Sequence, residues 1–414
     1  MLLKLIQKLL SLPPLKPRSS AFWLFTCLVC FSATVATAQS KPKPDAPPVN
    51  PLEIIKPDPL LPQLPKKATL SPEQRSSLRQ SLDDLNTQAT ALLQAEKVPE
   101  AFEIWYRELR LRRALGYVEE VQALGRVGEV AWQRTLKEDA KIITRRLQDI
   151  QQEAQEKKLM NLELQQALGL AYRQVRLLES AVGIYEKILA DAQNRTDAEA
   201  QETTLKTLAE LNLAWFNYPK AAAAYEELLA RSQAKSDRVN EVFYMQQLLY
   251  VYDKAKQPAN ALKTKQRLVQ TYLSQQDPTK IPALKIGIGA DYEALNQPQE
   301  ASQNYQEAYT LAWSARQFAF ASEALKKLGI LYRSHNQPES ALQVYEVLVK
   351  SEQQAFNFFG LMNAYDQIGQ IHLEKKNYPQ ALAAFQKGLE VAKSLNYQEA
   401  YFTSQIERVN KPAP

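Results

Sequence analysis

Cysteine is almost missing from this 414-residue sequence, and the only two, Cys27 and Cys30, lie inside an apolar N-terminal run. Their C-x-x-C spacing suits redox or metal chemistry in other settings, but no second pair exists to complete a site. A chain cut after that run holds no cysteine and folds in an oxidising compartment without mispairing. Histidine is equally scarce: His335 falls in a turn, and His372 replaces an aromatic residue on a helix. H-E-x-x-H, G-x-S-x-G and G-x-x-x-x-G-K are absent, which removes the commonest metal-, serine- and phosphate-dependent chemistries. Neighbouring acids such as Asp83-Asp84 and Glu119-Glu120 point to different sides of a helix, and nothing marks a cleft that shifts their pKa values. No catalytic residue, metal ligand or cofactor is expected. Eleven glycines are few, and no alternating β-branched run is long enough for a strand, so the composition suits an all-helical protein.

A concentrated charge of one sign is also lacking. The formal charge is +6, but four of the 51 basic residues (Lys4, Lys8, Lys16 and Arg18) precede residue 38, which leaves 47 against 45 acids. A nucleic-acid binder normally carries a concentrated basic excess, so that class is disfavoured. The longest apolar run, residues 21–36, is shorter than the roughly 20 residues that span a bilayer. With basic residues before it and Ala36-Thr-Ala38 after it, residues 1–38 read as a cleaved secretory signal peptide. The expected location is exported: periplasm, extracellular space or, in a photosynthetic host, the thylakoid lumen. Residues 39–69 hold nine prolines and read as an extended linker, a spacer on the order of 80 Å long.

What the sequence does have is a period. In the stretch from Leu325 to Leu348, Leu325, Leu328, Gly329 and Tyr332 share one helical face, Asn336-Gln-Pro338 breaks the helix, and Ala341, Tyr345 and Leu348 form a second face. This is a helix hairpin, and its markers recur forty residues away in both directions. The ladder Ala181, Ala221, Ala261, Ala301, Ala341 and Ala381 keeps that step, and Ala140 and Ala101 extend it with a slip of one. Small residues also recur on the first helix, at Gly128, Gly169, Ala209, Gly289, Gly329 and Gly369, where crossing helices need room. Four residues beyond the ladder stand Trp105, Tyr185, Tyr225, Tyr305, Tyr345 and Phe385, expected in the core and wedged against the following hairpin. Prolines 99, 219, 258, 298, 338 and 379 fall in the first turn of the second helix. Ser71 to Gln74 reads as a capping box that starts the helical region.

This order of small, aromatic, alanine, aromatic and proline residues resembles the tetratricopeptide repeat family over about residues 85–395. The usual period there is 34, so the forty-residue step resembles its longer-helix branch. The resemblance implies an all-α fold: a right-handed superhelical solenoid of antiparallel helix hairpins over 70–395, about eight repeats. Residues 396–414 are expected to give a C-terminal capping helix and a disordered tail. It also implies that first helices line a concave groove binding a protein or peptide partner, with Arg173, Lys206, Tyr250, Lys326, Arg333, Asn363 and Asp366 among the groove candidates. A second candidate is the basic run Arg107, Arg110 and Arg113, which could meet anionic lipid or an acidic protein face and otherwise is a solvated helix face. The leading reading is an exported scaffold or adaptor that assembles a complex at or near a membrane. The runner-up is an envelope-organising protein that holds glycan or cell-wall polymer through residues such as Tyr250 and Trp132, and an enzyme is a remote third.

Overall fold

The computed structural model describes residues 50–54, 57–61 and 70–411. The signal segment 1–38, most of the proline-rich stretch and residues 412–414 lie outside them. The described residues form seventeen α-helices and no strand, as the composition and period imply. They fall into two compact units divided between Arg231 and Ser232. The first holds α1 (Pro72–Gln94), α2 (Val98–Arg112), α3 (Tyr117–Gln133), α4 (Lys137–Glu156), α5 (Leu162–Gln174), α6 (Leu178–Asn194), α7 (Ala198–Ala214) and most of α8 (Tyr218–Ala234). The second holds α9 (Arg238–Lys254), α10 (Pro258–Ser274), α11 (Ile281–Ala294), α12 (Pro298–Ser314), α13 (Phe318–Ser334), α14 (Pro338–Gln354), α15 (Phe358–Glu374), α16 (Tyr378–Leu395) and α17 (Glu399–Asn410). Odd-numbered helices up to α15 are first helices of hairpins, even-numbered ones are second helices, and α17 is the extra terminal helix.

The local rule is finer than the forty-residue period. From Arg176 to Asn396 a residue in the left-handed conformation recurs every twenty positions, at the end of first and second helices alike. The amide after it donates five residues back, as Gln297 does to the Tyr292 carbonyl at 2.8 Å and Gln337 to Tyr332 at 2.9 Å. This is the Schellman closure, which satisfies carbonyls that the helix end would leave bare. None of these twelve residues is glycine. Two kinds of start recur in the helices that follow. Five second helices carry proline in their first turn, at Pro99, Pro258, Pro298, Pro338 and Pro379, where a missing N–H costs little. Several first helices are instead capped by a side chain: Asp197 accepts from the Ala200 amide, Asp237 from Asn240 and Asn357 from Gly360, at 3.0–3.1 Å. The Ser71 capping box is present, with both reciprocal bonds formed to Gln74.

The ladder alanines at 101, 181, 221, 261, 301, 341 and 381 are all buried, none more than 1% exposed. Their aromatic companions also seat on their own hairpin. A β-carbon at Gly289 would stand 2.5–2.8 Å from the Tyr305 ring, and Gly329 and Gly369 face Tyr345 and Phe385 in the same way. Each ring therefore lies on the glycine of its own first helix, so the glycine makes room for a ring rather than for a bare helix crossing. Gly388 of α16 repeats the device with Phe402 of α17, which is how the terminal helix is held.

Two places depart from the pattern. The turn residues Thr135 and Lys158 are 23 apart, α4 runs for 20 residues, and Ala140 is only half-buried. Here α3 lies directly against α5: a β-carbon at Gly125 would come within 2.9 Å of Ala171, and one at Gly128 would run into Val175. In the α9/α10 hairpin, Leu249 replaces the small residue and Lys265 the aromatic. Lys265 turns instead to Asp291 of α11, with Nζ donating at 2.8 and 3.0 Å. Both side chains are buried, so the pair compensates charges that burial would otherwise disfavour.

Candidate partner-binding face

A helix that buries one stripe exposes another three, seven and ten residues along. On α13 the buried set includes Ala321, Ala324, Leu325, Leu328 and Tyr332, and the outward stripe is Glu323, Lys326 and Ile330, ending in half-buried Arg333. The same register gives Glu163, Gln166, Leu170 and Arg173 on α5, Thr203, Lys206 and Glu210 on α7, and Phe243, Gln246 and Tyr250 on α9. Leu170, Tyr250 and Ile330 are large apolar residues about half exposed, at equivalent positions of alternate first helices. Single exposed apolar side chains are ordinary on a protein surface, so these three matter for their place on the outward stripe.

The candidate residues sort into distinct settings. Lys326 and Asn363 border one pocket of about 260 Å³ between α13, α14 and α15, with Ile330, Leu348 and Ala364 as apolar wall. The Tyr345 hydroxyl is buried at this pocket with no hydrogen-bond partner among the described residues. Burial raises its pKa to about 12, so it stays protonated and can donate. Tyr305 in the preceding hairpin gives its hydroxyl to Glu293, but the matching position forty residues on is Arg333. Arg333 turns along the face instead, donating to Gln367 at 3.0 Å and pairing with Glu374. Lys206 pairs with Glu202 one turn back at 2.8 Å, Lys254 lies 5.4 Å over the Tyr250 ring, and Arg173 is half-buried in the last turn of α5. Asp366 is already engaged by the terminal helix, accepting from the Tyr401 hydroxyl at 2.8 Å, and Gln370 also donates to Tyr401. Its place in a groove is therefore taken by the chain's own cap.

The basic run is half-buried and paired. Asp58 accepts from Nε and Nη2 of Arg107 at 2.7 and 2.9 Å, Arg110 donates to the Pro51 carbonyl at 2.6 Å, and Arg113 pairs with Glu53 and Glu120. Leu52 is buried, and Leu60 and Leu61 pack beside Leu78, Leu82, Leu111 and Leu115. Described parts of the supposed spacer thus dock on α2, and the bidentate Arg107 contact holds the Asp58 carboxyl below its usual range. The sequence carries a signal for this docking: Glu53 and Asp58 are acids in the proline-rich stretch, and Leu52, Leu60 and Leu61 are apolar residues a free spacer has no use for.

No protein-family model matches this sequence, and no curated protein matches it. Solved structures match it at low similarity. A signal transduction ATPase with a tetratricopeptide repeat sensor from Pyrococcus horikoshii is 16% identical at a TM-score of 0.41, covering 82% of this chain and 50% of its own. Aspartyl phosphate phosphatase F from Bacillus subtilis is 16% identical at 0.40, covering 70% and 78%, and a tetratricopeptide repeat protein from Parabacteroides merdae is 13% identical at 0.32, covering 70% and 99%. At these values the likenesses carry no argument about activity. The hairpins themselves define the class: this is an all-α solenoid of tetratricopeptide type with a forty-residue repeat.

Proposed function

We propose that the chain is an exported scaffold that holds an extended segment of a protein partner along the outward stripe of the first helices of its second unit. The observation that carries this reading is the pocket beside Ile330. It is apolar in its wall, has the Asn363 amide for orientation, and has Lys326 at its border. A rigid recess with few polar groups suits one anchoring side chain, and the helices hold it ready so that the ligand bears most of the ordering entropy. Lys326 favours an anchor with an acidic neighbour. The N-terminal signal pattern supports export and a working place close to a membrane.

A photo-crosslinking residue at Ile330, compared with one at Lys376 in the turn after α15, tests the face in the native host. The reading predicts a discrete adduct from position 330 and none from 376. Equal or absent adducts from both positions overturn it. Export is tested separately by the mass of the processed chain, which should begin at Gln39 in the exported fraction.

A further inference from the structure

Helices of the second unit alternate in direction, so the turns that follow second helices come to one edge. Their backbones are alike, each with a left-handed residue at 236, 276, 316, 356 or 396. Their side chains are not. Residues 233–240 and 273–280 contain no aromatic residue, and each of these two turns has an aspartate, Asp237 or Asp277, that accepts from an amide of the next helix start. At that position the last three turns have Gln317, Asn357 and Tyr397 instead. Asn357 still accepts from the Gly360 amide at 3.1 Å, so there the cap survives and only the charge is gone.

The same three turns expose aromatic side chains. Phe320, Phe356, Phe358, Phe359, Tyr397 and Tyr401 are each at least 36% exposed, and Phe356 reaches 81%. The Phe359 and Tyr397 rings meet edge to face at 5.5 Å, which joins the last two turns into one patch. Phe356 also holds the left-handed conformation at φ 52°, which a bulky side chain disfavours, and at its exposure it gains little from packing. Neither turn geometry nor burial therefore asks for phenylalanine there. Charge follows the same division: Arg316, Lys350 and Lys393 are exposed in or beside these turns, and across residues 313–320, 353–360 and 393–401 the one acid is Glu399. Exposed rings grouped at one edge mark an interaction surface, and rings flanked by cations with acids withdrawn match the headgroup layer of an anionic bilayer.

We propose that this edge of the second unit docks on an anionic lipid surface, with Phe356, Phe358 and Phe359 entering the headgroup layer and Arg316, Lys350 and Lys393 meeting lipid phosphates. Rings on exposed turns suit a fluid layer, which closes around them without a matching recess. Such docking specifies the membrane-proximal part of the function proposed above. It is independent of a partner at Ile330, which the crosslinking experiment tests by itself.

The full chain, with Cys27→Ser and Cys30→Ser, carries an environment-sensitive fluorophore on Phe356→Cys or, in the turn after α15 on the opposite edge, on Lys376→Cys. Vesicles of phosphatidylcholine, alone or mixed equally with phosphatidylglycerol, are then added. The probe reports its own surroundings, so the result does not depend on whether the N-terminal apolar run also enters the bilayer. The expected result is a blue shift at 356 with the mixed vesicles, quenched by acyl-brominated lipid, about tenfold less with phosphatidylcholine alone, and none at 376. Phe358→Ser with Phe359→Ser, and separately Arg316→Glu with Lys393→Glu, should each lower the 356 signal about tenfold. If the Phe356→Cys chain does not fold, Phe320→Cys carries the probe one turn earlier with the same expectation. A probe at 356 that stays in water, or equal shifts at 356 and 376, overturns the proposal. So does a shift at 356 that grows with protein concentration in the absence of lipid, which assigns the patch to a second copy of the chain.

Discussion

Glycine in the middle of a helix ordinarily weakens it, so Gly→Ala should stabilise by about 1 kcal/mol wherever nothing opposes the new methyl. Gly183 of α6 is such a place, with no atom within 4 Å of the added carbon. Gly289 is the opposite case. Its β-carbon would lie 2.5 Å from Tyr305 Cε1 and 2.7 Å from Cδ1, and the ring cannot swing away because it is fully buried and its hydroxyl is bound to Glu293. Overpacking of this kind costs about 1–3 kcal/mol. After the propensity gain, Gly289→Ala should be destabilising by roughly 0–2 kcal/mol. In a Tyr305→Leu background the clash is gone and the same substitution should stabilise by about 1 kcal/mol, a coupling of roughly 1–3 kcal/mol. Urea unfolding of the four variants, with hydrogen exchange of α11 and α12 amides to localise the effect, gives the cycle. Equal stabilisation by Gly289→Ala and Gly183→Ala, or additivity with Tyr305→Leu, would refute the account of how the hairpins close.

Three further outcomes are expected. Lys265→Met leaves buried Asp291 without its cation and should cost about 3–5 kcal/mol in thermal or urea unfolding, and adding Asp291→Leu should recover most of it. Burial, its largest influence, already raises the Asp291 pKa; a raised carboxyl pKa favours the protonated folded state, so the single variant should regain stability as pH falls from about 7 towards 5. Thr196 is β-branched and left-handed with φ 53°, so Thr196→Gly should raise stability by about 1 kcal/mol, and a loss would contradict the turn geometry. Asp58 has a lowered pKa through its bond to Arg107, so its ionised form favours docking above about pH 4 and that gain fades as pH falls through the folded value. Asp58→Asn should therefore speed exchange of the Leu52, Glu53, Leu60 and Leu61 amides at pH 7, and unchanged protection would show that the leucines alone hold the segment.

The forty-residue step was legible because packing tolerates only small residues at Ala181, Ala221, Ala301 and their fellows, and a steric demand leaves an invariant letter. The twenty-residue turn left no such mark. Its left-handed position accepts Arg176, Thr196, Phe216, Lys256 and Asn296 in turn, because the Schellman bonds are made by backbone, whatever the side chain. That Tyr305, Tyr345 and Phe385 seat on the glycine of their own hairpin was not legible for a related reason. Glycine spacing reveals that something approaches closely, but not whether the neighbour is the facing ring or the next hairpin. The outward positions on the first helices followed from periodicity, so Lys326, Ile330 and Asn363 could be named in advance. Occupancy by the chain itself could not be: Tyr401 reaches Asp366 from 35 residues away, and Asp58 reaches Arg107 from 49. Such contacts depend on where two ends of the fold come to lie.

The most direct test of the repeat itself is to remove one period. Deleting residues 297–336 joins Asn296 to Gln337, placing Ala341 and Tyr345 where Ala301 and Tyr305 stood, so that Tyr345 seats on Gly289. Circular dichroism should then show a folded protein with helical signal lower by about a tenth, still unfolding cooperatively, since repeat hairpins contact only their neighbours. Deletion of 297–332, four residues shorter, should leave the second unit misregistered and exposed to protease. Equal tolerance of both deletions, or collapse of both, would contradict a fold built on that step.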